Sequence, residues 1–204
     1  MTPQKTSEWT GMRGRIGAWF LDNPLRKPRE SAFLGRILGH IQGHEVVLDV
    51  GAGSGYFSLP VAKKLSTGKV ICLDLSTDLL QRLRRKAEKR GLGDTIDILQ
   101  TDAASSGLES ESVDLAFSNG VFHELPDPEK VLGEILRVLK PGGRVVIKDF
   151  SGESFHGKII RKFHHEGSHG PFNAEEFETL FSKAGLNDVK VTTEKGCLIS
   201  EGRR

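Results

Sequence analysis

The chain has 204 residues, enough for one domain with a sizeable core. Its formal net charge of +2 gives no reason to expect a polyanionic partner, so neither nucleic acid nor any other such partner is expected. No apolar run approaches the ~20 residues a membrane-crossing helix needs; Met1–Glu8 is polar, and two cysteines make no disulfide framework, which fits a reducing cytoplasm.

In chain order, Trp9–Leu34 reads as a helix around Trp19-Phe20-Leu21, a turn at Asn23-Pro24, and a second helix from Glu30. Val46 to Val50 is a β-branched, apolar run that reads as a buried strand. It delivers Asp49 and then Gly51, Gly53 and Gly55, glycines at alternate positions. A loop without Cβ atoms lets the backbone approach a ligand closely. This one leads into a helix over Ser58–Leu65, whose free N–H groups suit a carboxylate or phosphate. A dinucleotide fingerprint, G-x-G-x-x-G, would put its third glycine at position 56, which is Tyr56. That spacing disfavours a nicotinamide cofactor.

A second strand, Lys69–Leu75, ends on Asp74, 25 positions after Asp49. An acid there can accept hydrogen bonds from both hydroxyls of a ribose, or it can cap the next helix, Leu79–Arg90. The basic run Arg82-Leu83-Arg84-Arg85-Lys86 within that helix alternates with an apolar stripe, so its cations form a solvated face. Thr95–Gln100 is a third strand that delivers Asp102 and Ala103, and Val113–Gly120 a fourth that leads to Val121 and His123. Asp127 as N-cap, Pro128 at the first helical position and a stop at Pro141-Gly142 bracket a helix over Pro128–Leu139. Gly143–Phe150 is the fifth strand and carries Asp149.

Beyond it lies a histidine-rich stretch: His156, His164, His165 and His169 fall within fourteen residues. His165 and His169 have a spacing that can chelate zinc on a helix, but Gly167 and Gly170-Pro171 break that helix. A substrate lid over residues 151–173 is the favoured reading, and no metal site is expected. Asn173 with Glu176 opens a last helix that Gly185 stops. Two strands, Asp188–Glu194 and Cys197–Ser200, then form a hairpin about Lys195-Gly196. Strands and helices alternate throughout, the pattern of an α/β sheet covered on both faces.

Asp49 with the alternate glycines, Asp74, Asp102, Asn119, and the run Leu136-Arg137-Val138-Leu139-Lys140-Pro141-Gly142-Gly143 together resemble the class I S-adenosylmethionine-dependent methyltransferases of the UbiE-like, methyltransferase type 11 kind. The resemblance is strong over residues 30–150. It implies a Rossmann-like, seven-stranded, mostly parallel sheet in the order 3-2-1-4-5-7-6, with a terminal antiparallel hairpin. It also implies a single domain over 1–204, with residues 1–42 as a helical cap and 43–204 as the core. The cofactor implied is S-adenosyl-L-methionine. Its site would comprise Asp49, Gly51, Ala52, Gly53, Gly55, Tyr56, Asp74, Leu75, Asp102, Ala103, Asn119 and Val121. Asp49 would either fix the loop or accept a bond near the cofactor's ammonium.

The expected activity is methyl transfer to a small-molecule acceptor. His123, Asp149 and His165 are the candidate catalytic residues. No cysteine occurs in residues 151–173, which disfavours trivalent arsenic as the acceptor. A silent S-adenosylmethionine-binding partner subunit and a nicotinamide-dependent oxidoreductase are the competing readings.

Overall fold

The computed structural model describes residues 27–162 and 167–204. The readings made for Trp9, Trp19 and Phe20, and for His164 and His165, lie outside these residues. In chain order the elements are α1 (Lys27–Gly39), β1 (Val46–Val50), α2 (Ser58–Lys64), β2 (Lys69–Asp74), α3 (Thr77–Glu88), β3 (Ile96–Gln100) and β4 (Val113–Asn119). They continue with α4 (Pro128–Val138), β5 (Leu139–Phe150), α5 (Phe155–Lys162), α6 (Ala174–Lys183), β6 (Asn187–Glu194) and β7 (Cys197–Arg203).

The seven strands form one sheet in the order β3-β2-β1-β4-β5-β7-β6. Pairs among β1 to β5 are parallel, while β7 runs antiparallel to both β5 and β6. Each central strand is apolar on both sides, and successive residues enter opposite cores. Val47, Val70, Leu115, Phe117, Val146 and Ile199 pack under α1, α2 and α3. Leu48, Ile71, Ala116, Val145, Ile147 and Leu198 pack under α4 and α6.

The punctuation is chemically ordinary. The Asp127 carboxylate accepts the Lys130 N–H at 3.0 Å, with Pro128 in the first turn of α4. Asn173 and Glu176 form a reciprocal capping box at α6. Lys195 and Gly196 both take positive φ, 50° and 80°, as a two-residue hairpin turn of matching twist requires.

The start of β5 corrects the sequence reading. The helix ends at Val138, and Leu139 already pairs with Val113. Pairing resumes at Leu115 with Arg144, so Lys140 to Gly143 form a bulge. Gly142, at φ +78°, turns this bulge, whose backbone bonds to Arg204 in both directions. Pro141-Gly142 therefore sits inside the strand, where the ladder offers no N–H partner that proline would forfeit. For the same reason β7 runs past Ser200 to Arg203, which pairs with Arg144.

Helix α1 is joined to the sheet by a buried ion pair. Lys148 Nζ of β5 lies 2.5 Å from Glu30 Oε2, with side chains only 7% and 8% exposed. The ammonium also sits 5.7 Å over the Phe33 ring. Removing one member of a buried ion pair typically costs ~3–5 kcal/mol, whereas replacing both with apolar groups is far cheaper. We expect Lys148→Met to lower stability by about that amount, and Lys148→Met with Glu30→Leu to recover most of it. Urea unfolding of the two variants checks this, and equal losses would show that the pair is not coupled.

Candidate active site

The strand order reverses between β1 and β4, and open α/β sheets bind ligands at the carboxyl ends of strands at such a point. The alternate glycines follow β1, and Asn119 to Val121 follow β4. The structure brings the two into contact: a Cβ on Gly51 would lie 2.3 Å from Val121 Cγ2. Gly51, Gly53 and Gly55 all take positive φ, at 75°, 53° and 86°. A Cβ on Gly55 would meet Leu83 Cδ1 at 2.2 Å, while one on Gly53 would meet nothing within 4 Å. The outer two glycines are thus required by protein packing, and Gly53 leaves the space beside the loop open. The N–H groups of Gly51 and Ala52 are both taken by the Leu73 carbonyl, at 2.7 and 3.0 Å. Helix α2 starts at Ser58, where the sequence puts it, and Tyr56 lies half-buried in the turn before it.

Asp74 ends β2 facing this loop. One carboxylate oxygen accepts the Gly53 N–H at 2.8 Å and the other accepts the Ser76 N–H at 2.8 Å. The cap of α3 is Ser76, whose hydroxyl accepts the Leu79 N–H, so the capping reading for Asp74 is not what the structure has. Burial raises the Asp74 carboxyl's pKa, opposed by the backbone N–H groups of Ser76, Gly53 and Leu75. Beside it Leu75 is 48% exposed, an apolar surface at the same strand end.

Asp49 lies below the loop, 3% exposed, and accepts the Ser58 hydroxyl at 2.5 Å. Burial pushes its pKa up to about 7, the Ser58 bond opposes this, and the Asp74 charge adds to it. The Ser58 bond joins the end of β1 to the first residue of α2. Cys72 pairs with Asp49 in register, and burial raises its thiol's pKa well out of the reactive range.

Asp102 turns the chain after β3, one oxygen accepting the Ala104 N–H at 2.9 Å, with Ala103 half-buried beside it. Asn119 is half-buried at the end of β4.

His123 and Asp149, which sequence reading named separately, form one unit. Asp149 is 1% exposed, and its Oδ1 lies 2.7 Å from His123 Nδ1. Its Oδ2 accepts the His123 backbone N–H at 2.9 Å, and Oδ1 also accepts the Phe150 N–H at 2.6 Å. A carboxylate that serves three donors fixes the imidazole with its proton on Nδ1. Burial lowers the His123 pKa, but the Asp149 bond and charge outweigh it and the net direction is upward. Nε2 faces Glu124 at 3.7 Å.

The described part of the histidine-rich stretch is bonded to the same strand ends. Gly170 donates to the His123 carbonyl at 3.0 Å and His169 N–H to the Leu125 carbonyl at 2.8 Å. The His169 ring stacks on Phe172 at 4.0 Å. Among the described residues, no group of three or more His, Cys, Asp and Glu could hold a metal ion.

Two loop partners escaped sequence reading: Ser58 on Asp49, and Lys86 of α3, whose ammonium donates to the Ser54 carbonyl and hydroxyl, each at 3.1 Å. Nothing local in the sequence distinguishes Lys86 from the cations around it.

A family model described as a methyltransferase domain matches residues 48–147. The ubiquinone/menaquinone biosynthesis C-methyltransferase UbiE of Methylococcus capsulatus is 29% identical over 126 residues, 61% of this chain and 50% of that protein. The malonyl-[acyl-carrier protein] O-methyltransferase of the same organism is 36% identical over 104 residues, 51% of this chain and 37% of that protein. The chain thus spans half or less of the length of these relatives. The crystal structure of a SAM-dependent methyltransferase from Aquifex aeolicus superposes with a TM-score of 0.71 at 25% identity, covering 95% of this chain and 99% of that one. From β1 to β5, the chain thus resembles class I S-adenosylmethionine-dependent methyltransferase domains of the UbiE-like kind in both sequence and fold.

Proposed function

We propose that this chain transfers the sulfonium methyl group of S-adenosylmethionine to a small-molecule acceptor seated over the carboxyl ends of β4 and β5. The observation that carries this reading is Asp74. Its oxygens accept the Gly53 and Ser76 N–H groups, and a carboxylate has about four lone-pair sites, so acceptor capacity remains for a ribose hydroxyl. The open space beside Gly53 and the exposed face of Leu75 flank it, as an adenosine group requires.

The residues present fit the cofactor. Gly51 to Gly55 would hold its amino-acid end, Asp74 its ribose, and Leu75 with Asp102 and Ala103 its base; Asn119 and Val121 would close the site from β4. When bound, S-adenosylmethionine supplies a methyl group already activated for displacement, so the protein's part is alignment and exclusion of water. Where the acceptor must lose a proton, His123 takes it at Nε2, and Asp149 holds the ring and stabilises the imidazolium. One relative is named for C-methylation in ubiquinone/menaquinone biosynthesis and the other for O-methylation of malonyl-[acyl-carrier protein], which supports an acceptor drawn from metabolism.

Three outcomes test the reading. In calorimetry, S-adenosylhomocysteine binds at micromolar levels and NAD does not. Asp74→Ala weakens that binding at least ~10-fold, since each charge-assisted bond is worth about 1.5–3 kcal/mol. Tight NAD binding with no S-adenosylhomocysteine binding would overturn the methyltransferase reading, and wild-type affinity in Asp74→Ala would overturn the ribose role.

Asp49 sets the pH dependence. Its carboxyl ionises at about 7, so below that pH it is protonated and offers no charge to the cofactor's ammonium. Affinity should rise from pH 6 through 7 and level off above it, and Asp49→Asn should flatten the profile. A profile independent of pH in the unaltered protein would assign Asp49 to the loop alone.

His123 carries a raised pKa and acts in its neutral form, so turnover should fall as pH drops through a value above 6.5. His123→Gln should lower kcat at least tenfold for an acceptor that loses a proton, with cofactor affinity unchanged. If affinity and melting temperature fall together with kcat, His123 is a brace for the strand ends and not a base.

A further inference from the structure

The cations of α3 and of the turn after it differ in exposure. Arg84, Arg85, Lys89 and Arg90 are exposed, as a solvated face should be, and Arg82 is half-buried. Lys86 is half-buried, and its ammonium reaches the glycine loop, 3.1 Å from both the Ser54 carbonyl and the Ser54 hydroxyl.

The bond falls on the peptide unit that needs it most. With positive φ at Gly51, Gly53 and Gly55, the loop has neither a helix nor a ladder to hold its carbonyls. The Ser54–Gly55 peptide is fixed at both ends: its N–H donates to the Ala52 carbonyl at 3.0 Å, and its carbonyl accepts Lys86. Immediately before it, Gly53 N–H is held by Asp74 at 2.8 Å. Immediately after it, Gly55 is pressed by Leu83, one helical turn before Lys86. The loop is therefore clamped between an anion from β2 and a cation from α3, and the two anchors act on the adjacent residues Gly53 and Ser54.

We propose that Lys86 is a positioning residue for the cofactor loop: it fixes the Ser54–Gly55 peptide so that Gly53 keeps the space beside it open for S-adenosylmethionine. The geometry suits an ammonium. One carbonyl and one hydroxyl oxygen need two diverging donors from a single point charge on a long flexible stem, which lysine has and the planar fork of arginine does not. Buried Ser54, 3% exposed, exchanges water for this bond, so the loop loses an anchor that solvent does not replace when Lys86 is shortened or neutralised. The inference rests on the cofactor assignment made above.

The test compares Lys86→Met with Lys89→Met, which removes the same charge from the exposed C-cap of the same helix. S-adenosylhomocysteine binding by calorimetry, melting temperature without ligand, and steady-state kinetics are measured on the full chain. Lys86→Met should weaken binding at least fivefold and raise KM for S-adenosylmethionine in proportion, while kcat at saturating cofactor changes less than twofold. Lys89→Met should stay within twofold of the unaltered protein on every measure. Ser54→Ala should give a smaller loss, and combining it with Lys86→Met should cost less than the two losses multiplied, because they share one bond.

A Kd for Lys86→Met within twofold of the unaltered protein overturns the proposal. So does an equal loss in Lys89→Met, which would point to bulk charge. A loss of binding that merely follows a fall in folded fraction also overturns it, and Lys86→Gln, with two donors on a shorter stem, supplies the same comparison if Lys86→Met does not fold. Unaltered protein that binds no S-adenosylhomocysteine removes both this inference and the cofactor reading, and that outcome is visible before any variant is made.

Discussion

Gly51 and Gly55 sit at φ +75° and +86° with a neighbouring side chain occupying the place where a Cβ would stand. Everything at the ligand end of the sheet depends on that absence of two methyl groups. Val121, following β4, can close on the loop following β1 only because Gly51 presents no side chain. Helix α3 can press Leu83 onto the loop only because Gly55 presents none. Either contact with a real Cβ would move an element that carries part of the site: β4 with Asn119 and His123, or α3 with the start of the Asp74 turn. The steric rule is local, but its consequence is the spacing between three strands.

The same end of the sheet shows how a period of two divides labour. Lys148 and Asp149 are consecutive in β5, so their side chains point to opposite faces. Lys148 turns toward α1 and meets Glu30, while Asp149 turns toward the other face and meets His123. One dipeptide therefore anchors a helix on one side and orients an imidazole on the other. A shift of one residue in the β5 register would bury a carboxylate beside Glu30, which explains why pairing there is unbroken from Arg144 to Phe150 on the β7 side.

Much of this was legible in the residues. Strand-end acids after apolar runs, glycines at alternate positions, and the caps at Asp127 and Asn173 are local signals, and the structure has each of them where the chain order puts it. What periodicity did not reveal is non-local. Glu30 and Lys148 are 118 positions apart, and His123 and Asp149 are 26 apart. No window of sequence contains either pair. The early start of β5 was hidden for a different reason: Pro141-Gly142 has the composition of a helix stop, and only pairing with Val113 reveals a bulge inside a strand. Lys86 was hidden by its neighbours, since composition marks a basic helix face without marking which cation reaches the glycine loop.

The methyl transfer proposed for this chain asks for alignment more than for charge stabilisation, and these constraints favour alignment. The loop is set by sterics at Gly51 and Gly55 and by opposite charges at Asp74 and Lys86. The strand ends that face it are set by the Asp149 carboxylate, which holds His123 by main chain and side chain at once. Both sets attach to β1, β2, β4 and β5, the parallel core of the sheet, and their mutual distance is therefore a property of strand spacing. A loop-borne site would have to find that distance by side-chain packing alone, and each added degree of freedom would broaden the angle between acceptor and methyl carbon.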